Sequence, residues 1–358
     1  MKVVFDARYV RVDFHDGISR YSVELGTALS RLTPTHVLIS DPAQLAFFPD
    51  AVGSILAPHP ESPKEIATAR VIERAGGADV VFSPLQMLGS AGRKFKLILT
   101  LQDLIYHRHH AAPGNLRGPT RLGWFLYHLS YLPQRLTINR ADTISTISQT
   151  SKQEIIAARL TRKRVIVVPN APRDFGVEDA EQGDAPPRNL VYMGSLMRYK
   201  NPDVLIRAMR ELPGRTLHIL SRGTPERVAE LRAQVPEGAA VVFYEGVSDD
   251  EYVALLRDDS ILVTATLDEG FGLPPAEALN IGVPVVISDI PVLHEVAGRG
   301  AVYFDPSDPS AFAAAVRSLD GRTERERLIA LGRSHLAQYS WEESAKALLR
   351  EMVRLTSD

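Results

Sequence analysis

Cysteine is missing from all 358 residues of the chain, and with it go disulfide bridges and every thiolate metal site. Long apolar runs are missing too, since no stretch approaches the ~20 residues that cross a bilayer. The N-terminal "MKVVFDARYV" reads as a strand and lacks the apolar core of a secretion signal. These absences together fit a cytoplasmic location. There is no dense basic run with interleaved aromatics, which argues against a nucleic-acid partner. No Asp-x-Asp motif occurs either, which argues against a metal held between two such carboxylates.

What is present is the composition of an ordinary globular protein, 45% hydrophobic and 23% charged. A chain of this length is long for one core, so two domains are expected. The net charge of −2 hides an asymmetry: residues 1–170 carry 21 Lys+Arg against 13 Asp+Glu, and the remainder 20 against 30. Such halves meet different partners, or are two solvated surfaces that attract each other.

Short β-branched runs alternate with helix-like segments. The first series is "KVVFD" (2–6), "HVLIS" (36–40), "DVVFS" (79–83), "KLILTL" (96–101), "DTIST" (142–146) and "RVIVVP" (164–169). Residues 171–189, "APRDFGVEDAEQGDAPPRN", are acidic, rich in Pro and Gly and poor in apolar residues, the composition of a linker. The alternation then restarts with "LVYMG" (190–194), "LHILS" (217–221), "VVFYEG" (241–246), "ILVTAT" (261–266), "VPVVIS" (283–288) and "AVYFD" (301–305). Helices should begin near Pro202, Pro225, Asp249 and Pro274, because proline suits a first helical turn. The expected fold is α/β, with two doubly wound Rossmann-like domains facing across a cleft. Ligands of such sheets bind at the carboxyl ends of the strands.

One stretch carries the most chemistry: "DEGFGLPPAEALNIGVPVVISD", residues 268–289. Gly270 and Gly272 permit a tight turn and close approach of a ligand. The amides of Phe271, Gly272 and Leu273 then lie at a helix N-terminus, which is partially positive. Yet Glu269 and Glu277 flank them and would repel a bare phosphate. Carboxylates accept from hydroxyls, so a ligand with phosphate in its middle and hydroxyls at its ends resolves the conflict. A nucleotide sugar fits. The competing structural reading is a solvated Glu269 and a Glu277 that merely complements the helix terminus.

This signature of two glutamates spaced by seven residues resembles that of the retaining glycosyltransferases of the GT-B fold, family 4. The resemblance covers most of the chain and is strongest from about 190 to 306. It implies that Glu269 contacts the donor sugar and Glu277 the ribose. In "YMGSLMRYKNPDVLIRAM" (192–209) it places Gly194 and Ser195 after a strand, and Lys200 with Arg198 on the diphosphate. Tyr199 intervenes between those two cations, a departure from the adjacent pair the family often has. In "FDARYVRVDFHDGISRYSVELGTAL" it singles out Gly17, in a loop that closes over the donor.

In "LTLQDLIYHRHH" (99–110), Gln102 stands where the mannosyltransferase-like branch often has histidine, followed by Asp103. Glutamine hydrogen-bonds a sugar hydroxyl but carries no proton in catalysis, so Gln102 is read as a sugar contact. The resemblance further implies an acceptor domain over residues 1–170, a linker at 171–188 and a donor domain over 189–340. The final helix, 341–358, packs back on the first domain. No cofactor or metal is expected. The substrate is a nucleotide sugar, GDP-mannose in first place and UDP-glucose or another hexose donor as the alternative. The acceptor is a saccharide or a lipid-linked saccharide.

Two further stretches stay open at this level. His107, His109 and His110 line an acceptor loop or, less in keeping with their surroundings, hold a metal. "RLGWFLYHLSYLPQRL" (121–136) is core packing or a peripheral membrane- or lipid-facing surface. The rival functions are a non-catalytic sugar- or nucleotide-binding protein, favoured by Gln102, and a nicotinamide-dependent oxidoreductase, disfavoured by the missing G-x-G-x-x-G.

Overall fold

A computed structural model describes residues 1–13, 16–110 and 118–357. The chain divides into two compact units. The first comprises Met1–Arg108, Trp124–Asn170 and Tyr339–Asp358. Its strands are β1 (Val3–Asp6), β2 (Thr35–Ile39), β3 (Gly53–Leu56), β4 (Val80–Ser83), β5 (Lys96–Thr100), β6 (Thr143–Thr146) and β7 (Arg164–Val167). Among the described residues they form one parallel sheet in the order β3-β2-β1-β4-β5-β6-β7. The inner strands β1, β4 and β6 are buried at every residue, which explains their unbroken apolar and small-residue runs. Strand β3 escapes sequence reading because "GSIL" is a four-residue edge strand with only Ile55 buried.

The second unit comprises His109–Gly123 and Ala171–Gln338. Its strands are β8 (Asn189–Tyr192), β9 (Thr216–Ile219), β10 (Ala240–Phe243), β11 (Ser260–Thr264), β12 (Val285–Ser288) and β13 (Val302–Phe304). They form a parallel sheet in the order β10-β9-β8-β11-β12-β13. In both sheets the strand order reverses once, between β1 and β4 and between β8 and β11. These are the topological switch points, where the connecting loops leave in opposite directions and open a crevice.

Residues 171–188 have no regular secondary structure but belong to the second unit. The guanidinium of Arg325, fully buried, donates to the carbonyls of Gly183 and Ala185 and to Gln182 Oε1. Arg333 forks onto the Asp179 carboxylate, and the Ala180 amide donates to Ile281 O at 2.8 Å. An acidic, glycine-containing composition is thus compatible with a fixed path when arginines on a neighbouring helix satisfy its carbonyls.

The last helix, Trp341–Ser357, belongs to the first unit, where it packs along the helix Gly17–Leu32. Tyr21 is buried, meets Trp341 edge-to-face at 5.9 Å and donates its hydroxyl to Val168 O. Deeper along the helix, buried Glu351 accepts from Thr143 Oγ1 (2.6 Å), Arg354 Nη2 (2.7 Å) and Arg164 Nε (3.1 Å). Burial alone would raise its pKa, but the hydrogen bonds from Arg354 and Thr143 outweigh it and hold the carboxyl below the usual carboxylate range.

A carboxyl whose folded-state pKa is lowered contributes stability above its ordinary value, and that stability is lost as pH falls through the folded value. Glu351→Gln should therefore cost about 1.5–3 kcal/mol near neutral pH, the range for hydrogen bonds to a charged group. Denaturant unfolding of both proteins at neutral pH and near about pH 3 checks this. The difference should shrink at the lower pH, and an equal difference at both would contradict the assignment.

Candidate functional site

The second sheet's switch point brings together two loops that are 69 positions apart in sequence. Strands β8 and β11 pair in parallel, with Asn189 opposite Ser260 and Val191 opposite Leu262, so their carboxyl ends emerge side by side. The loop after β8 contains Gly194 and Ser195. The Gly194 amide donates to Ser221 Oγ (3.0 Å), and buried Tyr192 donates its hydroxyl to Ser195 O (2.8 Å) from below. A single tight turn, Arg198–Lys200, follows. Asn201 closes it in the left-handed region (φ 54°), which asparagine tolerates better than most residues. Its side chain donates to Pro306 O at 2.7 Å, and Pro202 opens the next helix.

The loop after β11 is fastened to that turn. The Leu267 amide donates to Tyr199 O at 2.7 Å, and Thr266 Oγ1 donates to Asp268 O at 2.6 Å. The outcome is an ion pair between Lys200 Nζ and a Glu269 carboxylate oxygen. Both side chains are mostly shielded from solvent, so the pair is stronger than one on the open surface.

Beyond Glu269 the chain turns into the helix Leu273–Asn280. Gly272 sits just before it at φ 95°, and a Cβ there would come within 2.7 Å of Leu293 Cδ2. The positive φ favours glycine, and a Cβ would in addition displace the Leu293 side chain. Pro274 and Pro275 carry no N–H, so the donors at this helix terminus are concentrated at Phe271–Leu273. Phe271 itself is buried, which anchors the loop. Glu277 is also buried, one turn into the helix.

Arg173, which sequence reading passed over, lies in the same unit. Its carbonyl accepts from Asn280 Nδ2 on the Glu277 helix (3.3 Å), and its Nη1 donates to Asp249 at 2.6 Å. The guanidinium lies 4.1 Å over the Phe175 ring. Its Nε and Nη2 are buried without a hydrogen-bond partner among the described residues. Partial burial works against its charge, but the hydrogen bond to Asp249 and the fields of Asp249 and Glu277 raise its pKa overall. The acidic stretch that surrounds it in sequence conceals this role, and no spacing in the sequence signals it.

The other expected residues are held by different partners. Arg198 is mostly exposed and pairs with Glu230 at 2.9 Å, not with Glu269. Gly17, Gln102 and Asp103 belong to the first unit. Gly17 starts its helix behind Asp16, which accepts from the Ser19 amide, and a Cβ there would meet nothing within 4 Å. Phe14 and His15 of the same loop lie outside the described residues.

The loop that leaves β1 is fixed at its start by buried Arg8, which clasps Asp6 through Nε (2.8 Å) and Nη2 (2.9 Å). Gln102 Nε2 donates to Pro84 O (3.0 Å), and Asp103 accepts from the Ile105 amide (3.0 Å). The histidines separate. His107 bonds to His128 O in the first unit (3.1 Å), whereas His109 groups with the second, stacks on Tyr199 and lies 3.3 Å from Asp268. Among the described residues no group of three or more His, Asp or Glu side chains is placed to hold a metal.

Comparison with known proteins agrees with this fold. A model of the glycosyl transferase 4-like domain matches residues 16–171, and that of glycosyl transferases group 1 matches 178–335. The chain is 25% identical to the O-antigen chain mannosyltransferase RfbU of Salmonella typhimurium over 85% of its length and 87% of that protein. It is 31% identical to O-antigen chain mannosyltransferase B of Escherichia coli, over 58% and 59%. Among solved structures, sucrose-phosphate synthase from Thermosynechococcus elongatus aligns with a TM-score of 0.76 at 18% identity, over 99% of both chains. HepE of Anabaena in complex with UDP-glucose aligns at 0.72 and 16% identity, over 98% of this chain and all of that one. The two family models together span nearly the whole chain, and the fold is GT-B: the protein belongs to the group 1 glycosyltransferases, family 4 enzymes that transfer a sugar from a nucleotide sugar.

Proposed function

We propose that the chain transfers mannose from GDP-mannose to a hydroxyl of a saccharide or lipid-linked saccharide, with retention of configuration and without a metal. The observation that carries the reading is the Lys200–Glu269 pair at the switch point between β8 and β11. An ammonium and a carboxylate set side by side suit a ligand that presents phosphate and sugar hydroxyls to the same spot. Mannose is favoured by the names of the curated relatives, two of which are mannosyltransferases at 25% and 31% identity. The rival donor is UDP-glucose, the ligand of the HepE complex.

In the reaction the bond between the sugar's anomeric carbon and the diphosphate oxygen breaks. A new bond to the acceptor oxygen forms on the same face of the ring. The acceptor proton passes to the departing phosphate oxygen, so no side chain has to serve as base. Lys200 offsets the charge that builds on the nucleoside diphosphate, and Arg198 joins it on leaving Glu230. Glu269 orients the hexose and Glu277 the ribose. Gly194, Ser195 and the amides of Phe271, Gly272 and Leu273 line the donor. Residues 189–340 hold the donor, and residues 1–170 select the acceptor. Gly17, Gln102 and Asp103 contribute from that side, with Gln102 as a sugar contact.

A thermal-shift panel of GDP, UDP, ADP, their sugar conjugates and NAD, run without metal, tests the donor site. A ligand that binds only the folded state at a hundredfold excess over its Kd stabilises by about 2.7 kcal/mol. GDP and GDP-mannose should raise Tm, and Lys200→Ala and Glu277→Ala should each abolish the rise. A shift with UDP compounds alone would move the donor to the UDP class, and a shift with NAD alone would sink the transferase reading. With GDP-mannose as donor, Lys200→Ala should lower kcat by about 10²–10³, the usual loss when one charge-stabilising donor is removed. A chelator should leave the wild-type rate unchanged.

A further inference from the structure

We propose that an apolar face on the first unit, rimmed by arginine and lysine, docks onto an anionic lipid bilayer. The face lies on two consecutive helices, Gly118–His128 and Tyr131–Ile138. Several of their polar and aromatic residues turn inward. Trp124 and His128 meet each other at a tilt and Tyr106 edge-on, and Tyr127 donates to Thr137 Oγ1 (3.4 Å). Gln134 is fully buried and bonds to Gln86. The leucines turn outward: Leu129 is 53% exposed, Leu132 60% and Leu136 63%, with Leu126 on the preceding turn at 55%. No residue of the first helix is buried. Core packing, one of the two readings the sequence left open, therefore does not account for these leucines. The sequence spends a buried glutamine while exposing leucines, the reverse of what a water-facing helix needs.

Charge identifies the occupant. The end of the second helix is tied to the segment at 158–161 through Arg135 Nη2 to Ala158 O (3.0 Å), Asn139 Nδ2 to Leu160 O (2.9 Å) and Thr161 Oγ1 to Asn139 Oδ1 (2.7 Å). Those ties hold the segment carrying exposed Arg159, Arg162 and Lys163 against the end of the helix that bears Leu132 and Leu136, and exposed Arg140 follows that helix directly. No Asp or Glu stands between Asp103 and Asp142, nor between Glu154 and Asp174. A second copy docking by the same face would set this basic rim against itself, which like-charge repulsion opposes. A surface of anionic headgroups over acyl chains satisfies both halves of the patch. No helix among the described residues is long and apolar enough to cross a membrane. The docking stands on its own; only its purpose, meeting a lipid-linked acceptor, rests on the proposed function.

Flotation of the full chain with phosphatidylcholine vesicles, with and without phosphatidylglycerol, tests the surface and requires no nucleotide. The wild type should float with the anionic vesicles, less so with added salt, and stay behind with neutral ones. The variant Arg140→Gln, Arg162→Gln, Lys163→Gln should weaken binding by on the order of a hundredfold, at about 1 kcal/mol per cation near the surface. The variant Leu129→Ser, Leu132→Ser, Leu136→Ser should abolish flotation while keeping the wild-type Tm. If the wild type floats with neither vesicle, the proposal fails. It fails also if light scattering shows an oligomer that the serine variant dissolves while flotation persists, since the face would then be an interface between copies. Failure here with intact nucleotide binding leaves the transferase reading standing.

Discussion

The site depends on one ion pair, Lys200 with Glu269. The ammonium and the carboxylate come from loops on neighbouring strands that the chain order separates widely, and only parallel pairing of β8 with β11 lets them meet. Each charge is partly withdrawn from water, and each would be costly there alone. Together they are tolerated. In the function proposed above, a nucleoside diphosphate sugar replaces both partners at once, giving phosphate to the lysine and hydroxyls to the glutamate.

The surrounding residues keep that pair in register. Tyr199 O receives the Leu267 amide, which joins the two loops directly. Asn201 and Gly272 both take positive φ immediately before a helix, turning the chain sharply enough to leave Lys200 and Glu269 at the helix mouths. Arg173 then connects the Glu277 helix to Asp249 at the start of the preceding helix, Asp249–Arg257. The field of this cation also reaches the buried carboxylate of Glu277. Charge balance, not apolar packing, decides where these side chains sit.

The sequence made much of this legible. Both sheets were visible because buried parallel strands read as unbroken apolar runs, and proline marked the helix starts at Pro202 and Pro225. The two glutamates stood out because a glycine-rich turn between carboxylates is an unusual combination, and Lys200 was singled out only through the family resemblance of residues 192–209. Strand β3 could not, since a short edge strand carries no burial pattern. Arg173 and Arg8 were hidden for a different reason: a buried arginine has no periodicity, and only the fold shows which carboxylate it faces. The leucines at 126–136 have the spacing of a packed helix, and spacing does not tell an inner face from an outer one. That distinction came from the buried Gln134 and the inward-facing Trp124.

The central claim is that Glu269 holds Lys200 until a donor replaces it. Calorimetric titration of Glu269→Gln and the wild type, each with GDP and with GDP-mannose, tests it most directly. Freed from its carboxylate, Lys200 should bind GDP several-fold more tightly in the variant, while the extra affinity contributed by the mannose should fall. Unchanged or weaker GDP binding in Glu269→Gln would contradict the account, because Lys200 would then owe nothing to Glu269 in the empty site.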